Sequence, residues 1–445
     1  MRELRNEIIP LISETMSKLD IDENQWLNLI GNATDLSHGD IALPCHSLSR
    51  ILRKSPNDIA DEITLDLSLR ASNIAHVSSI NGFVNFKANS SWLSNQLSLI
   101  NSDPNLGVKS ENRKIIVIDY SSPNVAKMMH VGHLRSTVIG DSLARMLEFK
   151  GHDVRRENHI GDWGTPFGML IEHFIECEQV DVEEIDLNTF YKHARDKFDS
   201  DADFASRSRE RVVKLQSRED KTIELWQQLV NYSLIHFNQV YEQLGVLLND
   251  NDLAGESSYE ELLPDVVERL RNKNMIVESK GALVVFPDGW VNRDDEPLPL
   301  IIRKGDGGYN YATSDLACII NRVDTIGSTE FLYVVGAEQS QHFDMVFQVA
   351  RDAGFMDDSI KAVHVTFGLV LRPDGKKLAS REGKSITLKN LLDESVSRAK
   401  KLIQEKNPNM HESEIDEISS MIGIGAVKYA DLSIDRNKNY IFDWD

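Results

Sequence analysis

Cysteine is scarce in this chain and thinly spread. The three thiols, Cys45, Cys177 and Cys318, lie far apart with no C-x-x-C spacing. That excludes a disulfide framework and a cysteine-built structural zinc site, and it fits a reducing compartment. Long apolar runs are also missing, since no stretch approaches the roughly 18 residues a membrane helix needs. The first residues, MRELRNEIIPLISETMSKLD, set acidic side chains inside their apolar pattern, so they resemble an amphipathic helix and not a secretory signal. Basic charge is in deficit: 49 Lys and Arg stand against 70 Asp and Glu, for a net charge of −21. This balance excludes indiscriminate phosphate binding and leaves room only for a local basic strip. The stretches SRSRERVVKLQSREDK (206–221) and SRAKKLIQEK (397–406) interleave acids with bases and read as solvated helix faces.

What is present is ordinary globular material, 41% hydrophobic and 27% charged over 445 residues. That length exceeds one core and implies about two or three domains. Residues 1–110 read as a small α+β unit, with helical runs near 2–19 and 43–65 followed by the strand-like AHVSSI and GFVNFKA. The polar, turn-rich NSDPNLGVKSENR (101–113) marks a boundary. No internal repeat or low-complexity segment follows.

A different pattern begins at Lys114. KIIVIDY (114–120) is a short apolar, β-branched run of the kind buried in a parallel sheet. A helix is expected from His133 to Lys150, then a strand in DVRRENHI and a turn into another helix at GDWGTPFG. The alternation returns with FLYVV (331–335), a helix ending at Gly354, the strand-like AVHVTFGLVL (362–371) and a helix from about Thr387. Strand and helix in alternation imply an α/β Rossmann-like domain with a parallel sheet, here split by an insertion over about 170–298.

The stretch SSPNVAKMMHVGHLRST (121–137) stands where the first strand gives way to a helix. In such sheets ligands sit beyond the carboxyl ends of the strands, against helix N-termini that attract anions. Gly132 allows close backbone approach, and His130 and His133, three apart, project to one side. With the ammonium of Lys127 they can donate hydrogen bonds to phosphate oxygens. The further ligands a zinc ion needs are not evident. A capped helix start with incidental histidines is the plain alternative.

The words HVGH, HIGDWGTPFG, YATSDLA, VVGAEQSQHF, GLVLRPDGKK, REGKSITL and GAVKYADLS, spread over almost the whole chain, resemble the arginyl-tRNA synthetases. These are class I enzymes with a HUP-like fold, an inserted connective subdomain and an additional N-terminal domain. The resemblance implies ATP-dependent activation of L-arginine and transfer to the 3′ end of tRNA(Arg). Magnesium-bound ATP is then a substrate complex, and no tightly bound cofactor or resident metal is implied. Lys127, His130 and His133 would be catalytic, with Lys377 and Arg381 as looser phosphate contacts. The loop KKLASREG lacks the second lysine of the class signature KMSKS, and Lys127 fits as its compensation. Around the arginine the resemblance places Asp119, Asn124, Tyr311, Asp315 and Gln339. Along the ATP it places Lys127, His130, Gly132, His133, Gly161, Asp162, His342 and Gly368. Phe83 and Asn85 fall where the family touches the tRNA elbow.

Plain alternatives stand beside these roles. Asp315 reads also as a helix N-cap, Tyr311 and Phe83 as core, and Asn124 as a turn cap. The family continues past NYIFDWD into an anticodon-binding domain, so the expectation is a shortened chain, monomeric and cytoplasmic. A short relative adenylating an amino acid for another acceptor, a non-catalytic tRNA- or partner-binding remnant, and a nucleotidyltransferase sharing only the HxGH site remain as competing readings.

Overall fold

A computed structural model describes residues 2–108, 112–177, 186–371, 375 and 387–443. The chain divides into two compact units, Met1–Lys109 and Ser110–Asp445. In the first, α1 (Arg2–Lys18) buries Leu4, Ile8, Ile12 and Met16, whose four-residue spacing keeps them on one helix face. Then come β1 (Gly31–Asn32), β2 (Ile41–Pro44), α2 (Ser49–Leu52), α3 (Pro56–Arg70), β3 (Ala75–Ile80), β4 (Phe83–Ala88) and α4 (Ser90–Ser102). The strands form an antiparallel sheet in the order β1-β2-β4-β3.

The single helix expected over 43–65 is absent, because sheet pairing of β2 with β4 overrides the helical pattern at its start. The main helix begins only at Ser55, whose Oγ accepts the Asp58 N–H at 3.1 Å, with Pro56 at the first helical position.

The second unit opens with β5 (Ile115–Asp119), α5 (Val131–Phe149) and β6 (Asp153–Glu157). An excursion follows through α6 (Pro166–Glu176), α7 (Leu187–Ser200), α8 (Ala202–Gln216), α9 (Asp220–Leu244) and α10 (Leu263–Asn272). It includes the antiparallel strands β7 (Val277–Ser279), β8 (Ala282–Val285) and β9 (Leu300–Arg303). Its last strand, β9, pairs with β8 just beyond the expected end at about 298. Next come α11 (Tyr311–Ile320), β10 (Glu330–Tyr333), α12 (Ser340–Asp352), β11 (Lys361–His364) and β12 (Val370–Leu371). The chain then runs through α13 (Leu388–Lys406), α14 (Glu412–Leu432) and β13 (Tyr440–Ile441).

Four strands form a wholly parallel sheet in the order β11-β10-β5-β6. Alternate residues of β5 feed opposite faces: Ile116 and Ile118 join the core beneath α5, whereas Val117 joins Leu316 and Val346 on the other side. Helix α5 lies close over the chain leaving β5, and only glycine fits at one point of contact. A Cβ on Gly140 would stand 2.3 Å from the Tyr120 ring. Gly140→Ala is expected to cost about 1–3 kcal/mol through overpacking, read as a lower urea midpoint with unchanged slope.

The strand expected over 362–371 breaks in two because its middle binds another segment. The Gly368 N–H donates to Arg436 O at 2.8 Å and the Leu369 N–H to Asn439 Oδ1 at 2.6 Å. Beyond them β12 pairs in parallel with β13.

Candidate functional site

From β5 the chain crosses to β6 on one side and reaches β10 on the other, so the connections diverge above Asp119 and Tyr333, which are register partners. Such a switch point opens a crevice. It is present as a cleft of about 770 Å³ walled by the turn after β5, the start of α5, α11, the loop after β10 and Gly368–Val370.

The turn after β5 is strained and braced. Ser121, Ser122 and Ala126 have φ of +73°, +51° and +60°, a region non-glycine residues avoid. Each is held by a side chain from elsewhere: Ser121 N–H donates to Ser136 Oγ (2.9 Å), Ser122 N–H to Asn158 Oδ1 (3.0 Å) and Ala126 N–H to Ser233 Oγ (2.9 Å). Across from this turn a Cβ on Gly161 would meet Asn124 Oδ1 at 2.2 Å, so a larger residue there displaces the Asn124 amide.

The HVGH segment caps α5 with its own histidines. His130 Nδ1 accepts the Gly132 N–H and His133 Nδ1 accepts the His130 N–H, both at 3.0 Å. An imidazole that accepts at Nδ1 and is neutral carries its proton on Nε2. Burial holds both side chains below the usual histidine range, with Lys127 adding to the effect at His130. For His133 burial and the neighbouring His130 lower the value to about 3. The rings lie 4.0 Å apart, and both line the cleft. Among the described residues neither Nε2 has a partner, so the pair presents two donors to the cleft, and the lowered values favour their neutral forms.

The opposite wall is acidic. Asp315 lies one turn inside α11, which excludes the N-cap reading; the cap position is Asn310. Its Oδ2 is 2.5 Å from His342 Nε2. Tyr311 begins the same helix and is 62% exposed, so it is not core. Asp119 also lines the cleft, yet its oxygens are engaged: Oδ2 takes Arg322 Nη2 at 2.7 Å and Oδ1 takes Ser122 Oγ at 3.1 Å. Arg322 is fully buried in a π-helical turn, Asn321–Thr325, and also binds Glu157 Oε2 through Nε at 2.8 Å and Nη2 at 2.6 Å. Glu256 joins the wall as well.

Burial, with Asp162 and Asp315 nearby, pushes the Glu256 carboxyl up from 4.5 to about 7. Between those values the folded state keeps a proton the unfolded chain has lost, so stability from this group falls as pH rises. Glu256→Gln is expected to flatten that decline in urea midpoints measured from pH 4.5 to 7.5.

The cleft thus gathers Asp119, Asn124, His130, Gly132, His133, Gly161, Tyr311, Asp315, Gln339, His342 and Gly368. Lys127 is placed differently: its ammonium sits 4.3 Å above the Tyr191 ring of α7 and is not among the cleft-lining residues. Asp162 also departs from the expected arrangement. Its carboxylate accepts the Ser257 N–H (2.9 Å) and Oγ–H (2.6 Å) and is likewise not among the residues that line the cleft. Lys377 and Arg381 lie outside the described residues. In the first unit, half-buried Phe83 and buried Asn85 line a separate hollow of about 330 Å³ with Asp35 and His38.

Sequence reasoning missed Arg322, Glu256 and the braces Ser136, Asn158 and Ser233. Only Asn158, next to HIGDWG, and Ser136, inside the 121–137 stretch, carried a nearby signal. Among the described residues no group of His, Cys, Asp and Glu is arranged to hold a metal ion.

Comparison with known proteins gives the class first. Residues 96–444 match the family described as tRNA synthetases class I (R), catalytic domain, and residues 6–88 match the arginyl tRNA synthetase N terminal domain. The chain is 49% identical over 405 residues to the arginine–tRNA ligase of Thermobifida fusca, covering 90% of this chain and 70% of that protein. With the Shewanella woodyi ligase it shares 43% over 451 residues, covering 99% and 75%. The crystal structure of the Plasmodium falciparum arginyl-tRNA synthetase superposes with TM-score 0.76 at 26% identity, covering 99% of this chain and 76% of that one. The Thermus thermophilus arginyl-tRNA synthetase, at 20% identity and TM-score 0.70 over 98% and 77%, shares the fold. The chain belongs to the arginyl-tRNA synthetases, the arginine–tRNA ligases of class I.

Proposed function

We propose that the cleft joins L-arginine to the α-phosphate of magnesium-bound ATP, releases pyrophosphate and passes the arginyl group to the 3′ end of tRNA(Arg). The observation that supports this best is the facing of two neutral Nε2–H donors, on His130 and His133, by an acidic wall containing Asp315. Attack by the arginine carboxylate puts charge on the phosphoryl oxygens, and a preorganised donor aimed there contributes about 3 kcal/mol to the transition state. The neutral imidazoles supply such donors without repelling the guanidinium across the cleft.

Asp315 and Tyr311 are assigned to the guanidinium, whose flat fork a carboxylate can grip in two places. Asn124 and Gln339 are assigned to the α-amino group, and Gly132 and Gly368 to the nucleotide. Asp119, bound to Arg322, acts as a fixed part of the wall. Lys127 is assigned to the phosphates, for which its ammonium must leave Tyr191. Lys377 and Arg381 join it as looser phosphate contacts. The hollow beside Phe83 and Asn85 is assigned to the tRNA elbow, where an aromatic ring can stack on a base.

The test is ATP–pyrophosphate exchange with L-arginine, run with and without tRNA(Arg). Exchange dependent on arginine in either condition supports the reading. Exchange with another amino acid overturns the substrate, and exchange in neither condition favours a non-catalytic role.

A further inference from the structure

Asp315 does not stand alone in the acidic wall. His342 Nε2 lies 2.5 Å from its Oδ2, and the two side chains are only 14% and 17% exposed. The Tyr311 ring packs against the same imidazole with centroids 4.8 Å apart. His342 sits in the first turn of α12, whereas Tyr311 and Asp315 belong to α11, so the imidazole ties the two helices together at the cleft. Its other aromatic neighbour is Phe343, 5.3 Å away.

A carboxylate that accepts a donor at one oxygen has its plane fixed and its other oxygen left for a ligand. That matters for a guanidinium, whose N–H directions are rigid, far more than for an ammonium, whose donors rotate to suit. The sequence resemblance puts His342 along the ATP, but its hydrogen bond runs to the arginine wall. We propose that His342 is a positioning residue for the guanidinium of the amino acid, acting through Asp315 and Tyr311. This inference rests on the arginine-binding reading of the cleft. It adds a residue to which substrate discrimination is assigned, although that residue does not itself grip the substrate.

Equilibrium binding of L-arginine, followed by calorimetry with ATP titrated separately, tests the proposal without requiring turnover. His342→Phe fills the space beside Tyr311 but has no donor, and it is expected to weaken arginine about 10- to 100-fold with ATP affinity unchanged. His342→Gln places an amide N–H near the position of Nε2 and is expected to recover most of the loss. In an Asp315→Asn background, His342→Phe is expected to add little, because the two residues act as one unit. Equal arginine affinity in His342→Phe and the unaltered chain overturns the proposal. So does a loss confined to ATP, or an unaltered chain that does not bind arginine. Arginine binding without exchange, in contrast, removes the activation reading and leaves this one standing.

Discussion

Arg322→Ala is expected to lower the unfolding free energy by about 3–5 kcal/mol, because it leaves Asp119 and Glu157 buried without a countercharge. Asp119 is 6% exposed and Glu157 also 6%, at the ends of adjacent parallel strands, and their charges meet on one guanidinium. Arg322 further packs on the Tyr333 ring at 4.6 Å, so truncation removes a stacked surface as well. Guanidinium chloride unfolding checks the value. A midpoint within error of the unaltered chain would mean that the triad does not hold the strand ends. Adding Glu157→Gln to Arg322→Ala should return part of the loss, because one uncompensated charge is then gone.

Removing one histidine donor is expected to reduce adenylate formation about 100- to 1,000-fold. The informative substitution is His133→Asn, whose Oδ1 can still accept the His130 N–H that His133 Nδ1 accepts at 3.0 Å. The helix start is then kept while the Nε2–H is lost, so thermal stability should change little as the single-turnover rate falls. An unaltered rate would take His133 out of the chemistry. Because burial and the neighbouring His130 lower His133 to about 3, its own titration should put no acid limb near 6.5, the usual histidine value, on the rate. A limb there that disappears in His133→Asn would mean that the cationic form is the active one.

The parallel sheet was legible because its strands are short, apolar and alternate with helices, and the HVGH segment because a glycine and two histidines stand at a strand-to-helix junction. Local pattern failed where pairing partners are remote. The start of the run 43–65 read as helix although β4 pairs with it at the end of β2, and the run 362–371 read as one strand although its centre is held by Arg436 and Asn439. The site behaves likewise. Arg322 lies 203 positions from Asp119, and nothing near either residue signals the other. The place of Lys127 over Tyr191 depends on α7, an inserted helix whose packing no spacing rule encodes.

The pairing of β13 with β12 has a consequence for biosynthesis. Arg135 reaches 296 positions along the chain to Asp431 and also binds the carbonyls of Gly368 and Lys438. On the ribosome the sheet and the histidine pair emerge long before these partners do. Such distant contacts form late, and chains made N-terminus first fold as their segments appear. A nascent polypeptide therefore holds the donors while one wall of its cleft is still unsecured, and that wall locks only as residues 431–441 leave the exit tunnel.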